Sequence, residues 1–475
     1  MKKAFEDVMS LFLGNIGGIL LSLPIAILLA RLLGPSDFGV LSLLLSLRDI
    51  FCVVTSLGLG RAALYFLARG REEKGYFSSL FFMRLLFGLI GALIFFSAST
   101  FFEEYYGIDR FALYAKIMSV DVVLSGLFSF FLYSFNGLSE FKRSAVMNVF
   151  YNFLRISSVV FVLLNMGVLG AIGGYLLSSF VTLILSTYFL SDLLVFLVDR
   201  LKVREIMNYS ISAYFIDVSH TVANLVPLTI LGLFGSVIVG YFSAAWKVAS
   251  VISLFLGAMN AVGVQRISSK KSSKERKKVA RKLTKYVVYL SSFFAFMMIP
   301  FSSQVINIVF SESFAPASLP LIFLSASFFL KSLSAGAACY LLGTGKPKPV
   351  TKSLLISALL AVLLSTVLTP SEPLLGISLV FLVVSCVYSL MLSFTVKFIS
   401  YKNLLLRSLL SGIVTAVVVK LIVQILPTVP SVILGGFSGL FVFLTMLFLL
   451  NGLEEEDIEL FSDLFEAVRK YFHLT

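Results

Sequence analysis

The chain has 475 residues, of which 59% are hydrophobic and 13% charged, with 48 phenylalanines and a mean hydropathy of +1.00. Such a composition suits a chain solvated by lipid and argues against a water-soluble globular domain. The formal net charge of +13 has to be read by position before any nucleic-acid partner is invoked, and a total of two histidines and three cysteines argues against a catalytic metal cluster.

A membrane-crossing helix needs roughly 20 apolar residues. About fourteen such runs fall at 8–30, 39–66, 77–101, 113–136, 144–164, 168–190, 207–233, 237–263, 284–309, 317–342, 350–369, 374–396, 406–426 and 431–450. The first follows Met1-Lys2-Lys3 as a signal peptide would, yet it continues to Ala30 without a small-x-small cleavage site, which marks a retained span. Loops such as Asn165-Met166-Gly167 and Gly235-Ser236 are too short to hold a domain, so function is expected among the helices. Cys52, Cys339 and Cys386 lie within apolar runs with no metal or pairing pattern and read as small packing residues. After the last span, Ile458, Phe461, Phe465, Val468 and Phe472 share one helical face, the pattern of an amphipathic helix on the cytoplasmic surface or of a partner-binding helix.

Of the 38 lysines and arginines, 28 fall in the N-terminus, the even-numbered loops, the first three residues of the spans that leave those loops, and the tail, 2 in the other loops and 8 deeper inside spans. By the positive-inside rule the even loops and both termini are cytoplasmic, and the protein is expected in the cytoplasmic membrane. The Lys270 to Lys285 loop imitates an RNA-binding arm, but a cytoplasmic loop facing anionic headgroups accounts for it, so membrane lipids rather than nucleic acid are the expected partners.

An internal repeat gives the architecture. Leu33-Gly34-Pro35-Ser36-Asp37-Phe38-Gly39 aligns with Phe234-Gly235-Ser236-Val237-Ile238-Val239-Gly240, each joining an outward to an inward span, and Pro24 and Pro227 stand upstream of the two copies. Tyr133 to Lys142 and Tyr340 to Pro349 form a weaker second pair at about the same separation. The expected division is an N-terminal lobe at 1–205 (spans 1–6), a C-terminal lobe at 206–400 (spans 7–12), extra spans 13 and 14 at 401–453, and the tail at 454–475.

Inside lipid, a basic or acidic residue at mid-depth costs about 2.5–3.5 kcal/mol on the insertion scale, so such groups are expected to face protein or water. Arg61, Arg84, Lys116 and Lys420 stand nearer span ends and can snorkel. Arg48, Arg155, Lys247 and Lys331 fall near mid-membrane with Asp49, Asp121, Asp217 and His220. Ser42, Ser46, Asp49 and Ser56 form one helical stripe; Ser210, Tyr214, Asp217, Thr221 and Asn224 form another, and Ser243, Lys247 and Ser250 a third. These stripes adjoin the repeated motif and point to a shared cavity. The pairs Asp217 with Lys247 and Asp121 with Arg155 can alternatively be buried ion pairs that fix packing. Trp246, beside Lys247, can stack on a sugar ring or simply pack.

The run Ala30-Arg31-Leu32-Leu33-Gly34-Pro35-Ser36-Asp37-Phe38-Gly39, with the Gly137-x-x-x-Phe141-Lys142 and Gly343-x-Gly345-Lys346-Pro347 loops, resembles the signature of polysaccharide-biosynthesis flippases of the O-antigen type. Their superfamily, MOP, also holds the MATE multidrug exporters and the lipid II flippases. The resemblance implies an all-α integral membrane protein in which two six-helix lobes surround a cavity opening alternately to each side. It implies a lipid-linked oligosaccharide on a polyprenyl phosphate or pyrophosphate as cargo, and glycan-assembly enzymes as possible partners. Arginine forks and lysine point charges suit such a phosphate, which makes Arg48, Arg155, Lys247, Lys331 and Trp246 the candidate substrate contacts. Asp49, Asp121, Asp217, His220 and Asn224 become the candidate coupling or cavity groups. No cofactor is expected beyond a coupling Na+ or H+. The rival readings are a MATE-like cation-coupled drug exporter, with Asp217 and His220 as its ion site, and a membrane glycan polymerase or ligase, which would be expected to carry a sizeable outside loop.

Overall fold

The computed structural model describes residues 2–68, 73–195, 200–270 and 272–452, and among these every regular element is a helix. In chain order they are α1 (Lys2–Val54), α2 (Leu59–Leu67), α3 (Glu73–Ser97), α4 (Ser99–Tyr106), α5 (Phe111–Gly137), α6 (Phe141–Leu154), α7 (Ile156–Phe161), α8 (Gly167–Phe189) and α9 (Arg200–Leu231). There follow α10 (Ser236–Ala249), α11 (Val251–Ser269), α12 (Ser273–Val309), α13 (Ser318–Ser332), α14 (Ala335–Gly343), α15 (Lys348–Leu368), α16 (Pro373–Thr395), α17 (Tyr401–Ile425) and α18 (Thr428–Leu449). The amphipathic tail expected at 454–475 lies outside the described residues.

Length and composition qualify eleven helices of the described residues as membrane spans, or twelve if the bent pair Leu20–Val54 and Leu59–Leu67 is one span. The expected fourteen are thus not reproduced as a number. One source of the difference is physical: Phe141–Phe189 counts as a single run, yet Asn165 and Gly167 take φ of 62° and 53°. The chain reverses there, so that Gly174 lies against Ser158 and Gly170 against Phe161. Helix α1 likewise runs through Gly34 at φ 72°, and Pro35, which lacks an N–H, starts the second arm.

Several hydroxyls at membrane depth are satisfied within their own helices. Ser134, Ser178, Thr182 and Ser365 each donate to the carbonyl four residues back, which removes the cost of an unpaired polar group in hydrocarbon. Small residues set the helix contacts: Gly14 meets Ala145 across α1 and α6, and Gly412 and Gly439 of α17 and α18 meet Phe296 and Met297 of α12.

The repeated motifs pack on each other. A Cβ built on Gly39 would lie 1.8 Å from the Ser236 carbonyl oxygen, and one on Gly240 would lie 2.0 Å from the Pro35 carbonyl oxygen. Since Pro35 aligns with Ser236 and Gly39 with Gly240, the two contacts are the same contact related by a local two-fold. Beside them Arg31 Nε donates to the Val309 carbonyl at 2.7 Å, and its Nη2 to that of Ile308, capping the exposed carbonyls at the end of α12. The motif contact and Arg31 thus tie α1, α10 and α12 together at this end of the bundle.

Candidate functional site

Below the glycine contact the helices part around two adjoining chambers of about 520 and 310 Å³. Arg48, Asp49, Tyr151 and Leu225 border both. The second arm of α1 supplies Arg48 and Asp49 because its serine and carboxylate stripe, Ser42, Ser46 and Asp49, faces inward. Arg48 is 7% exposed; its Nη1 donates to Asp121 of α5, which is fully buried, and Asp49 Oδ1 stands 2.9 Å from its Nε. Asp121 therefore sits behind Arg48 and not on the cavity wall.

The smaller chamber gathers cations. Arg155, at the junction of α6 and α7, donates from Nη1 to Asn152 Oδ1 at 3.1 Å and from Nη2 to the Tyr175 hydroxyl, and its guanidinium lies 4.4 Å from the Tyr175 ring centroid. Lys247 comes from α10 and forms no ion pair among the described residues. Trp246 borders the same chamber while packing 4.8 Å from Phe381 and 5.6 Å from Phe328, so it is both a wall and a core residue. Asn224 also faces this chamber and donates its amide to the His220 carbonyl at 2.6 Å.

The larger chamber takes Asp217 and His220 from α9. Asp217 is clasped by Arg61 of α2 through hydrogen bonds of 2.6, 2.9 and 3.0 Å. Neither of the ion pairs weighed from the sequence forms: Asp217 takes Arg61 in place of Lys247, and Asp121 takes Arg48 in place of Arg155. Lys331, on α13, borders neither chamber.

Arg84 corrects a sequence expectation. It does not snorkel but is 3% exposed and borders the larger chamber, donating to the carbonyls of Gly126 at 3.2 Å and Cys52 at 3.3 Å. The signal was available: Arg84 stands ten residues after Lys74, where its span begins, or about 15 Å along a helix axis, half the hydrocarbon thickness. Arg61 is likewise paired instead of reaching for a membrane surface. Tyr151 and Tyr175 carried no polar-stripe signal, because a tyrosine in a phenylalanine-rich span reads as packing.

The lining thus has four basic residues, Arg48, Arg84, Arg155 and Lys247, against two carboxylates, Asp49 and Asp217. The family model described as polysaccharide biosynthesis protein matches residues 28–319, more than half of the chain. The chain belongs to the polysaccharide biosynthesis protein family. Its similarity to "Probable low-salt glycan biosynthesis flippase Agl15" of Haloferax volcanii is 24% identity over 94% of this chain and 96% of that one. Among solved structures, the lipid II flippase MurJ in an inward closed conformation superposes with a TM-score of 0.79, at 15% identity, over 91% of this chain and 96% of its own. An inward-facing MATE family multidrug resistance transporter of the MOP superfamily follows at a TM-score of 0.63 and 17% identity, covering 80% of this chain and 94% of its own. This member of the polysaccharide biosynthesis protein family is therefore an all-helical, multi-pass membrane protein with the MurJ and MATE fold.

Proposed function

We propose that this chain is a flippase, not an enzyme, and that it carries a lipid-linked oligosaccharide across the cytoplasmic membrane by alternating access. The observation that carries the reading is the smaller chamber, where Arg155 and Lys247 stand without carboxylate partners. The phosphate or pyrophosphate joining a glycan to its polyprenyl chain supplies the missing countercharge. The sugars occupy the larger, hydroxyl-lined chamber and the polyprenyl tail stays in lipid. Membership of the polysaccharide biosynthesis protein family and the similarity to the probable glycan biosynthesis flippase of Haloferax support the cargo class. Lobes at 1–205 and 206–400 rock about the glycine contact, with 401–453 as accessory spans and both termini on the cytoplasmic side, where glycan-assembly enzymes would deliver the substrate.

A cavity for cationic drugs calls for excess carboxylate, the reverse of this lining. The test is reconstitution of purified protein in liposomes with a labelled polyprenyl-pyrophosphate oligosaccharide and, separately, ethidium. The expected result is translocation of the lipid-linked sugar and little movement of the dye. Dye efflux driven by Na+ or H+, with no movement of lipid-linked sugar, overturns the proposal in favour of an exporter.

A further inference from the structure

We infer that the larger chamber selects a glycan bearing a negatively charged sugar, and that Arg84 is the residue that reads the charge. The inference rests on the flippase reading and names the class of sugar it would carry.

Arg84 is the unusual cation of this cavity. The other guanidiniums near the larger chamber already have carboxylates: Arg48 holds Asp121 with Asp49 alongside, and Arg61 holds Asp217. Arg84 has none among the described residues. Its hydrogen bonds go to neutral acceptors, the Gly126 and Cys52 carbonyls and, at 3.5 Å, the Thr55 hydroxyl. These fix the guanidinium plane from α5 on one side and from the end of α1 and the turn after it on the other, without cancelling its charge. Space is made for it as well, since a Cβ on Gly126 would lie 2.2 Å from Arg84 Nη2.

A buried charge without a counterion is costly in a low-dielectric interior, and the cost falls when an anion arrives with matching geometry. The smaller chamber has its own cations for the phosphate, which leaves the charge of Arg84 available to a second anion. The surroundings say what kind of molecule carries it. Ser56, Ser125, Ser129, Tyr133 and Asn148 border the same chamber, a set of hydroxyl and amide groups suited to sugar hydroxyls. Its volume of about 520 Å³ lies within the range of pockets that enclose small organic ligands. A carboxylate, as in a uronic acid, and a sulfate ester both match a planar guanidinium fork.

The experiment measures binding of three polyprenyl-phosphate probes to the full chain in lipid nanodiscs: glucosyl, glucuronosyl and 6-sulfoglucosyl. The expected result is that one or both acidic probes bind at least about tenfold more tightly than the glucosyl probe, the better of the two identifying carboxylate or sulfate. Arg84→Gln should collapse that ratio, Arg84→Lys should retain part of it, and Lys247→Ala should weaken all three probes while leaving the ratio intact. Equal binding of all three by the wild-type protein overturns the inference and leaves the flippase reading standing. So does an undiminished ratio in Arg84→Gln, because a merely structural arginine would not set selectivity. Failure of every probe to bind overturns both. If Arg84→Gln does not fold, the wild-type ratio and Arg84→Lys decide the matter.

Discussion

Arg61 and Asp217, 156 positions apart in the chain, are joined by three hydrogen bonds of 2.6–3.0 Å. The contact ties the short helix beyond the bend in the second span to the seventh. Tyr65 stacks on Tyr209 with ring centroids 4.1 Å apart, and the Tyr214 hydroxyl donates to the Val54 carbonyl at 3.0 Å. In the proposed rocking of the lobes this seam would have to open or shear.

The clasp predicts energetic coupling. In a double-mutant cycle with Arg61→Ala and Asp217→Ala, thermal unfolding in detergent should give an interaction energy of about 1–3 kcal/mol. Strict additivity of the two single changes would show that the pair contributes nothing.

The carboxylates on either side of Arg48 should differ sharply. Asp121 is fully buried, so Asp121→Asn leaves the buried guanidinium with only the half-exposed Asp49 and should cost up to about 3–5 kcal/mol. Asp49, with its side chain 49% exposed, should cost under about 1 kcal/mol when changed to Asn. Comparable losses in stability would refute the assignment of Asp121 as the structural partner.

Alanine at the two motif glycines should act oppositely to alanine at an open glycine. Gly39→Ala and Gly240→Ala drive a methyl into a carbonyl and should each destabilise by about 1–3 kcal/mol. Gly436, with no neighbour within 4 Å of its Cβ position, should gain up to about 1 kcal/mol as alanine. Melting temperatures of the three variants read out the sign; stabilisation by Gly39→Ala would disprove the close approach.

Binding of a polyprenyl pyrophosphate should depend on Lys247 more than on Lys331. Lys247→Ala should weaken it about tenfold, the value of one charge-assisted hydrogen bond, whereas Lys331→Ala should change it little. Wild-type affinity should also fall as ionic strength rises, with a shallower dependence in Lys247→Ala. Identical loss in both variants would remove the smaller chamber from the phosphate site.

Orientation is checked by labelling. In a background lacking Cys52, Cys339 and Cys386, a cysteine placed at Ser273 should be shielded from an impermeant thiol reagent added outside intact cells, and one at Ser318 should react. The reverse pattern would invert the topology.

Where spans lie was legible because apolar length is a one-dimensional signal: runs expected at 350–369 and 374–396 appear as Lys348–Leu368 and Pro373–Thr395. Where the chain turns was legible as well, at Asn165-Met166-Gly167, because residues that tolerate positive φ stand there. Which charge meets which was not. Periodicity along one helix reports which residues share a face, but the azimuth of that face relative to other helices is set by tertiary packing. Asp217 therefore met Arg61 rather than Lys247, and Asp121 met Arg48 rather than Arg155. Depth was legible in principle at Arg84, yet proximity to a loop in sequence was mistaken for proximity to water.

Because Gly39 needs the space beside Ser236 and Gly240 needs the space beside Pro35, the two motifs share an isologous contact of the kind that normally joins identical subunits. Neither motif can drift alone. A side chain acquired at one glycine collides with the backbone of the other motif. At this contact the single polypeptide therefore carries the geometry that a two-fold axis gives a homodimer.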